Sequence, residues 1–312
     1  MDKIFTIIVV GPTASGKTSL GVEIAKYYGG EVVSSDSMQI YKNMQIATAA
    51  PNETEMKGIP HHLIGFLEPD ENYSVARYKQ DAFRIICDID FRGKIPVIVG
   101  GTGLYVDTLI NNISFFETDS SSTVRSELLK RAETEGTQKL YEELFSIDRE
   151  SAEKIHFNNT KKIIRALEVY YQTGRTISEQ VRESRNEESI IKPVIIGLNA
   201  SDRQFLYDRI NRRVDIMLEN GLVDEAKAFY AKYGKGTANQ AIGYKELLPY
   251  FSGESDLQSA AKNLKMQTRR YAKRQLTWFR RNKDINWINI DENSEDELLK
   301  KAIEIIDTWR DL

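Results

Sequence analysis

The 312 residues include a single cysteine, Cys87, and only three histidines. One thiol cannot close an internal disulfide, and cysteine-based zinc sites need more ligands. That scarcity fits a reducing compartment, so a cytoplasmic location is expected. A long apolar run is also missing. The early segment IFTIIVV is too short to span a bilayer. It runs straight into glycine with no basic leader or cleavage site, and so reads as a strand, not a signal peptide. Nor is there an excess of positive charge. The net charge of -3 argues against a globally basic nucleic-acid binder, but leaves room for a local basic face. Repeats and low-complexity tracts are absent. What is there is an ordinary globular composition, 41% hydrophobic and 29% charged, long enough for one large or two modest domains.

Strand and helix signals alternate at the start. IFTIIVV is apolar, β-branched and stopped by Gly-Pro, as a buried strand would be. TSLGVEIAKYYGG reads as a helix closed by Gly29 and Gly30. EVVSSDS is a second strand. The segment after Ser74 has helical spacing through Val75, Tyr78, Ala82, Ile85 and Ile86 and ends at Gly93; IPVIVGG is a third strand. This alternation predicts crossover units and a parallel sheet. The character changes near Phe116, and helix-like segments follow until a fourth strand at PVIIGLN, from Pro193. Residues 117–190 therefore read as a helical insertion domain, with 1–116 and 191–312 forming the core. A helix follows with Leu206, Ile210, Val214 and Met217 on one face, and the last long helix is expected over about Asp256 to Asn282.

The segment GPTASGKT (Gly11, Pro12, Thr13, Ala14, Ser15, Gly16, Lys17, Thr18) matches the phosphate-loop pattern in full, with a strand before it and a helix after. Glycines let successive N–H groups turn inward on an anion, and the helix N-terminus adds a favourable dipole. Lys17 supplies a cation, and the Thr18 hydroxyl can ligate Mg2+. The fold class expected is α/β, a P-loop NTPase-like parallel sheet flanked by helices. The loop does not settle the reaction. The third strand ends IVGGTGLY without an acid, and the available acid is Asp36 in SSDSMQIY. Two classes stay open on these residues: a phosphoryl transferase, such as a small-molecule kinase, or an enzyme that uses pyrophosphate as a leaving group.

Further motifs narrow the choice: SSDSMQIYKNMQIATAAP (34–51), IPHHLI (59–64), PVIVGGTGLYV (96–106), IIRALEVYYQTGR (163–175), AIGYKEL (241–247) and TRRYAKRQLTWFRR (268–281). With GPTASGKT they closely resemble the tRNA dimethylallyltransferases (tRNA isopentenyltransferases) of bacterial type, in family order over nearly the whole chain. The resemblance implies transfer of the five-carbon group of dimethylallyl diphosphate to N6 of the adenine 3′-adjacent to the anticodon, with pyrophosphate released. The expected partners are the tRNA anticodon stem-loop and the diphosphate, the expected cofactor Mg2+ at Thr18, and the expected state a monomer with no membrane contact.

The family's roles carry over residue by residue. Asp36 matches the general base, since an aromatic amine must lose a proton as the carbon–nitrogen bond forms. In ordinary loops an aspartate at such a position caps a helix or turn. Thr102 matches the threonine near the bridging oxygen of the diphosphate, where it would stabilise charge on the leaving group. The loop from Gly11 to Thr18, with amides from Thr13 onward, would grip the pyrophosphate, and Arg209 would add a cation. Ser37, Met38 and Gln39, with Asp36 and Thr102, match the stretch near the target base, and the amide of Gln39 suits base reading. Arg125, Lys161, Lys162 and Arg165 fall where the family's insertion domain meets tRNA. Here the chain departs from the family: HFNNTKKIIR puts Phe157, Asn159, Lys161 and Lys162 where Pro, Asp, Gln and Arg are usual. Lys162 lacks the planar fork of arginine. Gly65 replaces the acid that usually follows His-His-Leu-Ile. His61 and His62 are adjacent and lack a third ligand, which speaks for a structural or substrate-lining pair over a metal site. From Lys262 to Lys283 there are nine Lys or Arg and no acid. Arg270, Lys273 and Arg274 in this run are expected on the phosphate backbone, with the interleaved Tyr271, Trp278 and Phe279 in the core.

Overall fold

The structure, a computed structural model, describes residues 3–115, 123–184, 188–233 and 237–310. The chain divides into two compact units, Met1–Val106 with Ile190–Leu312, and Asp107–Ser189. The expected start of the insertion at residue 117 lies outside the described residues.

The first unit is built on a six-stranded sheet: β1 (Ile4–Val10), β2 (Glu31–Ser34), β3 (His61–His62), β4 (Pro96–Gly100), β5 (Ile191–Asn199) and β6 (Ile285–Asn289). The order is β3-β2-β4-β1-β5-β6, and every pairing is parallel. β1 and β4 are apolar because both their faces are covered. On one face Ile7, Val9, Val99 and Ile196 pack with Ile24 of the Lys17–Tyr28 helix and with Ala302 and Ile306 of the Glu295–Arg310 helix. Each such branched side chain, removed from water, contributes about 2 kcal/mol.

Two strands and several helices, among them Leu222–Lys232 and Glu295–Arg310, were not expected from the sequence. β3 has only two residues, too few for any periodicity. β6 reads INWIN, with Asn286 and Asn289 breaking the apolar run, as its place at the sheet edge allows. The Leu257–Phe279 helix is not the last long one; the 16-residue Glu295–Arg310 helix follows it.

The second unit is helical: Thr123–Thr134, Thr137–Ile147, Arg149–Lys154, Thr160–Thr173 and Ile177–Ser184. Leu128, Leu140, Leu144, Ile163 and Leu167 form its core. Asp148 is buried and ties two helix starts together, accepting from Ser151 N at 3.0 Å and from Ser178 N at 3.1 Å. Asn159 caps the Thr160–Thr173 helix by accepting from Lys162 N. An asparagine here keeps the cap that an aspartate would give.

Candidate active site

Parallel register brings three sequence-distant motifs to one sheet edge. β2, β4 and β1 are neighbours, with Ser34 beside Val99 and Val10 beside Gly100. Their C-terminal ends carry the Asp36 loop, the Gly-Gly-Thr turn and the phosphate loop. Such ends are where open α/β sheets bind ligands. Thr102 N donates to Ser35 O at 3.1 Å, and Ser35 N donates to Val99 O at 2.8 Å. The first two loops are therefore stitched together. Gly100 permits this approach: a Cβ there would lie 2.2 Å from Ser35 O.

The phosphate loop closes on the Lys17–Tyr28 helix, whose N-cap, Gly16, has φ 87° and makes no side-chain cap. The first-turn N–H groups lack partners one turn back, so an anion can take them. Ala14 also lies in the left-handed region, at φ 65°. Arg209 reaches this loop from the Arg203–Glu219 helix and donates from Nε to Ala14 O at 2.8 Å. Lys17 Nζ donates to Pro12 O at 3.1 Å. The Thr13 amide departs from the expected inward set: it donates to Gln275 Oε1 at 2.8 Å.

Asp36 Oδ1 accepts from Met38 N at 2.9 Å, the turn-capping use open to any aspartate at this position. Thr102 Oγ1 accepts from Ser37 N at 3.0 Å. The Gln39 amide is occupied at both ends. Its Oε1 accepts from Ser34 Oγ at 3.1 Å, and its Nε2 donates to Ala49 O at 3.2 Å. Gly65 has φ 58°, and its amide donates to Gln39 O at 2.8 Å. Glycine suits that left-handed turn as a bulkier acid would not.

Of these groups Thr13, Lys17, Asp36, Ser37, Met38 and Gln39 line one cavity of about 260 Å³, whereas Thr102, Gly65 and Arg209 lie outside its lining. Lys17, Thr18, Asp36, Arg213 and Arg274 give it a charged and polar side. Met38, Ile64, Val214, Met217, Ile242 and Leu264 give it apolar walls. Burial, and next the positive Arg213, lower the Lys17 ammonium to about 8, while Asp36 opposes the fall. Burial likewise pushes the Arg213 guanidinium below its ordinary value. Arg213 went unremarked in the sequence, although it lies one helical turn beyond Arg209 in RINRR, on the same face.

The histidines divide. His62 Nε2 lies 2.8 Å from Glu31 Oε2, and buried Glu31 also binds Arg92 and Lys94. His61 Nδ1 meets Ile59 O at 2.8 Å, and its ring lines the cavity.

On the Leu257–Phe279 helix, Arg270, Lys273 and Arg274 are exposed. Lys265 and Arg269 are spent within the protein, on Asp215 at 2.6 Å and on Asn211 at 2.6 Å. Of the aromatics expected in the core, Phe279 is buried, whereas Tyr271 lines the cavity, with Arg274 5.6 Å from its ring centre. Trp278 packs against Gly103. In the second unit, Lys161 and Lys162 are exposed. Arg165 donates to Glu168 Oε2 at 3.0 Å, and Arg125 lies 3.8 Å from its other oxygen. Glu168 is fully buried, so the two arginines are anchored from beneath. In sequence, RALEV offers no sign that the Glu168 acid faces inward.

Two family models match the chain, IPP transferase over residues 39–282 and isopentenyl transferase over 4–64. The chain belongs to the IPP transferase family. Among its relatives, the tRNA dimethylallyltransferase of Caldanaerobacter subterraneus subsp. tengcongensis is 49% identical over 304 residues, 95% of each chain. That of Bacillus subtilis is 45% identical over 298 residues, 95% of this chain and 94% of the other. The crystal structure of tRNA isopentenylpyrophosphate transferase from Staphylococcus epidermidis aligns with TM-score 0.72 and 41% identity over 98% of this chain and all of that one. A eukaryotic dimethylallyltransferase captured acting on tRNA aligns with TM-score 0.83 and 32% identity, over 99% of this chain and 80% of that one. As in these family members, the sheet is parallel, flanked by helices, and carries the phosphate loop after β1. Among the described residues, no helix is long and apolar enough to cross a membrane.

Proposed function

We propose that this chain is a tRNA dimethylallyltransferase. It moves the dimethylallyl group of dimethylallyl diphosphate onto N6 of the adenine 3′ to the anticodon and releases pyrophosphate. The observation that carries the reading is one cavity lined by Thr13, Lys17 and Thr18 of the phosphate loop, the Asp36 carboxylate and an apolar wall. A diphosphate fits its cationic side and a five-carbon chain its apolar side.

In this mechanism the first-turn amides, Lys17, Arg209 and Arg213 hold the diphosphate. Asp36 Oδ1 stays with Met38 N, which leaves Oδ2 for the substrate amine. The N6 nitrogen attacks the allylic carbon, the carbon–oxygen bond breaks, and the N6 proton passes to Asp36. The Thr102 hydroxyl stabilises the negative charge that collects on the departing oxygen. No phosphorus–oxygen bond is cut, which separates this chemistry from that of a kinase. Thr18 lines the same cavity, and its hydroxyl would hold Mg2+, a hard cation that favours oxygen ligands. When bound, the ion would neutralise leaving-group charge.

The target adenine must leave the loop stack to enter the cavity, at less cost in a single-stranded loop than in a duplex. In this reading Met38 and Tyr271, which line the cavity with Ser37 and Gln39, flank it. Arg270, Lys273 and Arg274 bind the phosphate backbone. Arg125, Lys161, Lys162 and Arg165 of the insertion unit do the same, with the arginines preset by Glu168. The enzyme acts as a monomer in the cytoplasm.

Labelled dimethylallyl diphosphate and unmodified tRNA test the proposal. Label in the RNA with an equal amount of pyrophosphate supports it. ATP turnover on a small acceptor without label transfer would establish the kinase instead.

A further inference from the structure

Gln275 lies on the basic Leu257–Phe279 helix and is only 5% exposed. A buried amide needs partners for both of its ends. Its Oε1 accepts from Thr13 N at 2.8 Å, and its Nε2 donates to Gly101 O at 2.9 Å. Thr13 belongs to the phosphate loop. Gly101 immediately precedes Thr102 and follows β4. One side chain therefore spans the two loops that would meet the diphosphate. The fit is tight on the Gly101 side, where a Cβ would lie 2.1 Å from Gln275 Nε2. Thr13 N would otherwise be a free donor at the mouth of the loop, competing with the first-turn amides for the anion.

We infer that Gln275 is a positioning residue. It fixes the separation between the phosphate loop and the Thr102 turn, so that both address one diphosphate at the bridging oxygen. The inference rests on the function proposed above. The requirement is for an acceptor facing Thr13 N and a donor facing Gly101 O at once, and among uncharged side chains of this length only glutamine provides both. Methionine keeps the volume and loses both bonds. Glutamate keeps the acceptor but sets a carboxylate against the Gly101 carbonyl. That repulsion, with burial, raises the carboxyl's pKa. Once protonated, the carboxyl regains a donor and restores both bonds.

The test is transfer kinetics for the parent, Gln275→Met and Gln275→Glu between pH 6.5 and 8.5, well below each protein's melting temperature. Gln275→Met is expected to lower kcat about 100-fold at every pH, the scale of a misplaced reacting group. Gln275→Glu is expected to be equally poor at pH 8.5, its activity relative to the parent rising about tenfold towards pH 6.5. Two results would overturn the inference: near-parental kcat in both variants, or a lowered melting temperature with kcat intact and no recovery in acid. Binding of inorganic pyrophosphate, measured by calorimetry, needs no transfer and keeps the two proposals apart. A parent that binds pyrophosphate but transfers no label sinks the function alone. Parental kcat in Gln275→Met, beside an active parent, sinks the inference alone.

Discussion

Raising the pH from 7 to 9 removes the proton from Lys17 in the ligand-free protein, because burial and Arg213 hold its ammonium at about 8. An ordinary lysine would stay charged over this range. A bound diphosphate places negative charge beside the amine and returns its pKa to the usual lysine region. Binding is then linked to proton uptake. At pH 7 Lys17 is already charged, and the linkage costs almost nothing. At pH 9 about nine in ten molecules must gain a proton on binding, so affinity falls about tenfold. At pH 8 about half a proton enters per ligand. The sign follows from the depressed pKa: the loss begins as pH rises through about 8. The assay is calorimetry with dimethylallyl diphosphate in two buffers of different ionisation enthalpy, which reads the proton count directly. Lys17→Arg stays charged throughout and is expected to give a flat profile. Equal affinity of the parent at pH 7 and 9, with no proton uptake at pH 8, would refute the view that Lys17 is a desolvated amine waiting for its anion.

Three further outcomes are expected. Asp36→Asn removes the base and keeps the size, so transfer falls by about 100-fold or more while tRNA affinity in a filter-binding assay is unchanged; a parallel loss of binding would make Asp36 structural. Replacing Arg270, Lys273 and Arg274 together by glutamine weakens tRNA binding and reduces the slope of log affinity against log salt by about 3, whereas an unaltered slope removes them from the interface. Glu31→Gln strips the acid from the cluster of Arg92, Lys94 and His62 and lowers stability by about 3 kcal/mol in denaturant titration. Those partners, Arg92 foremost, hold the Glu31 carboxyl far below its ordinary value. Its contribution is therefore present above the unfolded carboxylate pKa and is lost only in strong acid. A variant as stable as the parent at pH 7 would mean that the cluster contributes nothing.

Sequence alone specified the four inner strands, the phosphate loop and the basic helix, because each is written in adjacent residues. An apolar β-branched run, a glycine pattern and a one-sided charge run need no partner to be legible. The family motifs carried the candidate roles of Asp36 and Thr102. Tertiary structure decided the rest. The residues Thr13, Gly101 and Gln275 meet only because β1 and β4 are neighbours and the Leu257–Phe279 helix crosses their ends. Lys17 is desolvated by side chains distant in sequence, and Arg213 becomes a cavity cation only once its helix docks. Edge strands such as β6 are recognised by the hydrogen bonds they make, since one exposed side leaves no continuous apolar signal. Local order is encoded locally; burial and convergence of charge come from contacts across the chain, and those arise only on folding.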